Sequence, residues 1–126
     1  MRNKNSYFVE TRGRGEEVIF AEKTCSMIEI NEEEYAGVAE NLYEAIGGDA
    51  YFNGSVDYEC DRFHSTFTAT IIVYHRDEEY PEGMRKVMHN MVPVWWEFRT
   101  WLPDGEQADN DFGFSELKKC FLCHLN

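Results

Sequence analysis

Apolar residues recur along this chain in two rhythms. Between residues 51 and 74 the period is two. In "AYFNGSVDYEC", Phe52, Val56, Tyr58 and Cys60 share a face with Gly54, and Tyr51, Asn53, Ser55, Asp57 and Glu59 share the other. In "FHSTFTATIIVYHRD", Phe63, Phe67, Ala69, Ile71 and Val73 make an apolar face, while Thr66, Thr68, Thr70 and Ile72 make the opposite one. Alternation of this kind, rich in β-branched residues, predicts two strands of a pleated sheet with one buried face. Asp61-Arg62 between them predicts an antiparallel hairpin.

The second rhythm is helical. In "NEEEYAGVAENLYEAIGG", Tyr35, Val38, Ala39, Leu42 and Ile46 form one apolar stripe. Asn31 is the natural N-cap, with Glu34 three residues on as its capping-box partner. Glu32, Glu33 and Glu34 crowd the first turn, where the helix dipole favours negative charge. Gly47-Gly48 provides the stop. Gly37 falls outside the stripe, where it costs about 1 kcal/mol relative to Ala with no close packing to justify it.

The flanking segments follow the same logic. "SYFVETRGRGEEVIFAE" predicts strands over 7–11 and 18–21 around an Arg-Gly-Arg-Gly turn, and "CSMIEI" extends the second or adds another. "RDEEYPEGMRKVMHN" reads as a polar connection with Pro81 and Gly83 as turn residues. "MVPVWWEFRTW" predicts a strand with Val92, Val94, Trp96 and Phe98 inward and Trp95, Glu97, Arg99 and Trp101 outward. Pro93 lacks a ladder donor, which predicts an edge strand or one beginning after it. "LPDGEQADND" reads as a loop, and residues 115–124 as a closing helix with Phe114, Leu117, Phe121 and Leu125 on one arc. The expected architecture is α+β: an antiparallel sheet of four or five strands packed with two helices, in the order β-β-α-β-β-β-α.

Composition sharpens this picture. The 126 residues are 43% hydrophobic and 15% aromatic, which suits a single domain with one core over residues 1–126 and argues against disorder. Residues 1–6 are expected to be a frayed arm. The formal charge is −12, which opposes nonspecific contact with nucleic acid or anionic lipid. Residues 1–14 nevertheless sum to +3. No apolar leader or bilayer-length run occurs, so the expected compartment is a reducing bacterial cytoplasm, with Cys25, Cys60, Cys120 and Cys123 as thiols.

Chemistry has one named motif, the Cys120-Phe121-Leu122-Cys123-His124 run near the C-terminus. In those five residues the chain resembles c-type cytochromes. The resemblance implies two thiols capturing haem vinyl groups and His124 ligating iron, with Met27, Met84, Met88 or Met91 as a sixth ligand. Such attachment belongs to an exported compartment, and the rest of the chain reads as sheet. A structural zinc site would need a second ligand pair, for which Cys60 is the nearest candidate beside Cys120, Cys123 and His124. The stripe from Phe114 to Leu125 accounts for more of these residues as the buried face of a helix, and no cofactor is expected.

Asp104, Glu106, Asp109 and Asp111 supply calcium-type oxygens without EF-hand spacing. No Gly-x-Ser-x-Gly, phosphate-loop or His-Glu-x-x-His motif occurs, so enzyme activity is not expected. The residues that point to function are instead Trp95, Glu97, Arg99 and Trp101, since outward aromatics and arginine anchor protein interfaces. The expectation is a small acidic accessory protein that binds a protein partner or a second copy of itself. Two alternatives are a zinc or redox protein built on the C-terminal cysteines, and a DNA mimic presenting Glu33, Glu40 and Glu44 to a basic surface.

Overall fold

The computed structural model describes residues 8–10, 12–14, 19–21 and 27–124. The frayed arm expected at residues 1–6, and Cys25, lie outside the described residues. The elements are β1 (Phe8–Glu10), β2 (Arg12–Arg14), β3 (Ile19–Ala21), β4 (Met27–Ile28), α1 (Glu32–Ile46), β5 (Tyr51–Glu59), β6 (His64–Tyr80), β7 (Gly83–Trp101), β8 (Gln107–Asn110) and α2 (Phe114–His124). The fold is α+β, as the patterning predicts. The main sheet runs β4-β8-β7-β6-β5, and β2 also pairs with β7; only the β4–β8 pair is parallel. β1 and β3 pair antiparallel as a separate ribbon. The Arg-Gly-Arg stretch expected to turn this hairpin is itself strand β2, with Arg12 opposite Glu97 and Arg14 opposite Trp95.

Helix α1 forms for the reasons its sequence states. The Asn31 side chain accepts from the Glu34 amide at 2.8 Å, and Glu34 Oε1 accepts from the Asn31 amide at 2.9 Å. The chain leaves the helix at Gly47, whose φ of 60° is accessible to glycine without strain. Tyr35, Val38, Ala39, Leu42 and Ile46 are buried against the sheet. Gly37 corrects the expectation: it is half-buried, and the Tyr58 ring from β5 fills the space where its side chain would stand.

The largest departure is the hairpin β6–β7. Residues 76–80 and 83–90, expected as a polar connection, are strand on either side of the two-residue tip at Pro81-Glu82. Polarity misleads here because opposite charges face each other across the ladder, Asp77 opposite Lys86 and Glu78 opposite Arg85, while Glu78 also pairs with Arg76 of its own strand at 2.8 Å. The Arg85 guanidinium lies 4.1 Å from the centre of the Tyr80 ring, and Tyr80 Oη donates to Glu78 at 2.9 Å. Gly83, at φ 129°, closes the turn. Strand β5 ends opposite Ile72, so the hairpin continues past Val73 as a two-stranded ribbon.

Two bulges in β7 correct the inward set expected there. Thr70 pairs with Trp95 but Ile71 with Pro93, leaving Val94 as the extra residue; Tyr74 pairs with Asn90 but His75 with Met88, leaving His89 as the second. Each extra residue shifts the alternation by one. Trp96 and Phe98 are therefore buried as expected, but Met91 and Pro93 join them, while Val92 and Val94 face out. Pro93 also sits inside the strand rather than at its start.

The segment expected as the 102–111 loop contains β8 and leads to the centre of the core. Phe112 stacks on Phe98 at 4.0 Å and lies within 6 Å of the rings of Tyr35, Phe67 and Trp96. Asn110 fixes that placement. It is buried, donates to Phe98 O and Thr100 Oγ1, and accepts from the Phe112 amide. Phe114, Leu117 and Phe121 bury the inner stripe of α2. Leu125 lies outside the described residues.

Candidate functional site

Both helices pack on the same face of the sheet, and among the described residues no helix covers the opposite face of β5, β6 and β7. The period of two places Tyr51, Asn53, Ser55 and Asp57 of β5 there, beside Thr66, Thr68, Thr70 and Ile72 of β6. On β7 the bulge at Val94 supplies the rest: Val92, Val94, Trp95, Glu97, Arg99 and Trp101.

This face has two zones. One is a polar ladder in which neighbouring strands satisfy each other. Ser55 and Thr68 hydroxyls meet at 2.8 Å, Thr66 donates to Asp57 at 2.8 Å, and Thr70 donates to Asn53 at 3.0 Å. Arg99 pairs with Glu97 on the same strand. The other zone is apolar. Tyr51, Ile72 and Val92 stand in one row across three strands, and Trp95 opens the next. Tyr51 is 57% exposed, Val92 40%, Trp95 38% and Ile72 37%. Single exposed apolar residues are ordinary, but a row of them spanning three strands is not.

All four residues singled out in the outward row thus share this face, but they do different things. Trp95 belongs to the apolar zone. Glu97 and Arg99 pair with each other. Trp101 is half-buried at the far end, its ring 5.8 Å from that of His64. These two rings border an open cleft of about 430 Å³ lined by Glu59, Cys60, Asp61 and Leu102. Tyr51, Ile72 and Val92 were not legible as site residues. Nothing in the 90–96 stretch announces the bulge that turns Val92 outward, although its run of apolar residues is too dense for strict alternation.

The cysteines do not assemble a shared site among the described residues. Cys60 donates its S–H to Glu34 Oε2 at 3.5 Å. Glu34 is buried and also accepts from Arg62 Nε at 2.9 Å and Arg62 Nη2 at 2.6 Å. Burial would push the Glu34 carboxyl up. The Arg62 hydrogen bonds, the Asn31 amide, the Arg62 charge and the Cys60 thiol outweigh it and hold the group below its ordinary value. Cys120 is half-buried on α2, and burial, with Glu32 and Cys123 nearby, pushes its thiol up. Cys123 is exposed. The His124 side chain lies outside the described residues. No group of three His, Cys, Asp or Glu side chains placed to hold a metal occurs among the described residues.

The acids of the 104–111 segment serve local structure. Asp104 accepts from the Glu106 amide at 2.9 Å, and Asp111 accepts from the Ile30 amide at 2.8 Å, which ties the entry of α1 to the end of β8. Asp109 is buried within β8. Glu33, Glu40 and Glu44 are exposed on α1. No helix among the described residues is long and apolar enough to cross a membrane. No family model, curated protein or solved structure matches this chain.

Proposed function

We propose that the chain is a non-catalytic binding protein that engages another protein through the open face of its sheet, centred on Tyr51, Ile72, Val92 and Trp95. The observation that carries this reading is the apolar row those residues form across three strands. The surrounding Ser55, Thr68, Thr70 and Asn53 side chains bond to one another and give the apolar centre a polar rim. An apolar centre with a polar rim, aromatic at two of its four positions, is the composition of a protein-binding surface. The charge of −12 keeps the remaining surface from associating nonspecifically.

The test places a photo-crosslinking residue at position 95 and, as a control, at the exposed position 40 of α1. Crosslinked partners are identified by mass spectrometry, and their affinity for the purified chain is then measured directly. A partner captured from position 95 but not 40, and bound at least tenfold more weakly by Tyr51→Ser and Val92→Thr chains, is the expected result. Equal capture from both positions, or affinity indifferent to both substitutions, rules the reading out.

A further inference from the structure

We propose that the free edge of β6 from Tyr74 to Tyr80 pairs with the same edge of a second copy, antiparallel about a two-fold axis at Asp77. This edge is separate from the open sheet face, and the inference does not rest on that reading. Strand β5 covers β6 only as far as Ile72, and the Val73 amide makes the last bond on that side, to Ala50 O at 2.8 Å. Among the described residues nothing pairs with the next seven residues on that edge.

An unpaired strand edge is a template for another strand, and charged side chains ordinarily protect it. Here the order of the charges does the opposite. The segment reads Tyr74-His75-Arg76-Asp77-Glu78-Glu79-Tyr80. Turned about Asp77, it sets Arg76 against Glu78 of the second copy, His75 against Glu79, and Tyr74 against Tyr80, and repeats each pair by symmetry. Opposite charges directly across an antiparallel pair are favourable, and aromatic pairs are too. A two-fold interface of this kind is isologous, the commonest arrangement in oligomers.

The backbone supports the same register. Because the Val73 amide points to the β5 side, His75, Asp77 and Glu79 direct their amides and carbonyls to that edge as well. Those three residues are the ones a two-fold axis at Asp77 brings together as hydrogen-bonded pairs. The one unfavourable contact is Asp77 against itself. Lys86 stands directly across the ladder from Asp77 in each copy and offsets it. On the other strand face Arg85, Glu78 and the second copy's Arg76 would alternate in sign across the row.

A second observation comes from His75. Its Nε2 is buried without a hydrogen-bond partner in the single chain. A buried polar atom left unpaired costs free energy and calls for an explanation. In the proposed register Glu79 of the second copy stands directly across from His75 on the same face, so a turn of the imidazole toward the free edge would give that nitrogen a carboxylate partner.

Sedimentation velocity of the full chain over its attainable concentration range tests the inference. The expected species has twice the 14.8 kDa mass of the single chain. Arg76→Glu and Glu78→Arg each place like charges across the axis and should weaken the dimer about tenfold or more. The double exchange Arg76→Glu with Glu78→Arg restores opposite charges and should recover it. Asp77→Pro removes an amide that points only to the free edge and should leave a folded monomer, with folding checked by circular dichroism. Trp95→Ser should leave the dimer intact. A wild-type chain that stays monomeric overturns the inference. So does a dimer that survives both single charge reversals, or a double exchange that fails to recover what each single one loses.

Discussion

The ring of Tyr58 occupies the space that a side chain at Gly37 would enter, so strand β5 approaches helix α1 as closely as a bare backbone allows. Cε1, Cζ and Cδ1 of the ring are the atoms a Cβ there would meet first. Glycine inside a helix normally gives up about 1 kcal/mol relative to alanine. At this position overpacking outweighs that gain, at about 1–3 kcal/mol. Gly37→Ala should therefore destabilise the chain in urea unfolding. In a Tyr58→Ala background the clash is gone, and the same substitution should stabilise by up to about 1 kcal/mol. A cycle of the four proteins reads the sign reversal directly; a substitution that acts with the same sign in both backgrounds would mean the ring is not what excludes a side chain.

The Glu34–Arg62 pair joins the first turn of α1 to the β5–β6 connection, and Arg62 reaches on to Glu29 O at 2.7 Å. Its partners are unequal: Glu34 is 6% exposed at the side chain and Arg62 47%. Arg62→Met leaves a buried carboxylate with only the Asn31 amide and the Cys60 thiol. The expected loss is about 1–3 kcal/mol, below that of a fully buried pair because Arg62 is half in water. The sign with pH follows from the lowered Glu34 carboxyl. Its contribution is complete above the unfolded-state value near 4.5 and is lost as pH falls through the lower folded-state value. Unfolding curves at a series of acidic pH values should show the wild-type advantage over Arg62→Met shrinking toward low pH. An advantage that grows there would contradict the assignment.

What the chain discloses and what it hides divide along physical lines. Helix α1 is legible because its cap, stripe and stop are all local signals and all agree. The β5–β6 hairpin is legible because its alternation is uninterrupted. The bulges at Val94 and His89 are not, since a bulge is defined by the partner strand and not by the residues that form it. The ribbon to Tyr80 is hidden for a related reason. Asp77, Glu78, Arg85 and Lys86 read as loop residues singly and as strand residues only once they are paired. Phe112 escapes notice because it stands in a polar segment, and the buried Asn110 that delivers it to the core looks like any loop asparagine. Of the open face, Trp95 is legible from alternation; Val92 is not, because its orientation depends on the bulge.

The Val94 bulge makes an unusual deletion tolerable. Removing Val94 joins Pro93 to Trp95, which leaves Pro93 opposite Ile71, Trp95 opposite Thr70 and Trp96 opposite Ala69, as they already are. Every core side chain keeps its face, and only local twist is lost. Removing Ala69 from β6 instead takes a residue from a strand with no surplus there, paired on both sides, and drives core and surface residues to the wrong faces. The Val94 deletion should fold with a loss no larger than a typical point mutation, about 1 kcal/mol. The Ala69 deletion should unfold the chain or cost several times more. Thermal melts of the two proteins decide the matter, and equal damage from both would show that the ladder does not pass through Val94 as an extra residue.

Cys120 and Cys123 stand three residues apart on α2 and should behave as unlike thiols. Cys120 lies half-buried at the margin of the core, where burial, Glu32 and Cys123 all push its thiol toward the neutral form. Cys123 is exposed. Modification by a small alkylating reagent, followed by peptide mass spectrometry, should label Cys123 first, with labelling of Cys120 delayed to higher pH because only the thiolate reacts. Stability should follow the same order: Cys123→Ser within about 0.5 kcal/mol of wild type, as for surface positions generally, and Cys120→Ala about 1 kcal/mol or more below it through lost packing. Added zinc separates this arrangement from a metal centre. If the pair is a helix margin and nothing more, zinc leaves both the labelling order and the melting temperature unchanged. Protection of both cysteines together with a rise in melting temperature would instead mean that a metal draws Cys123 inward and that the Cys-x-x-Cys-His run is its site.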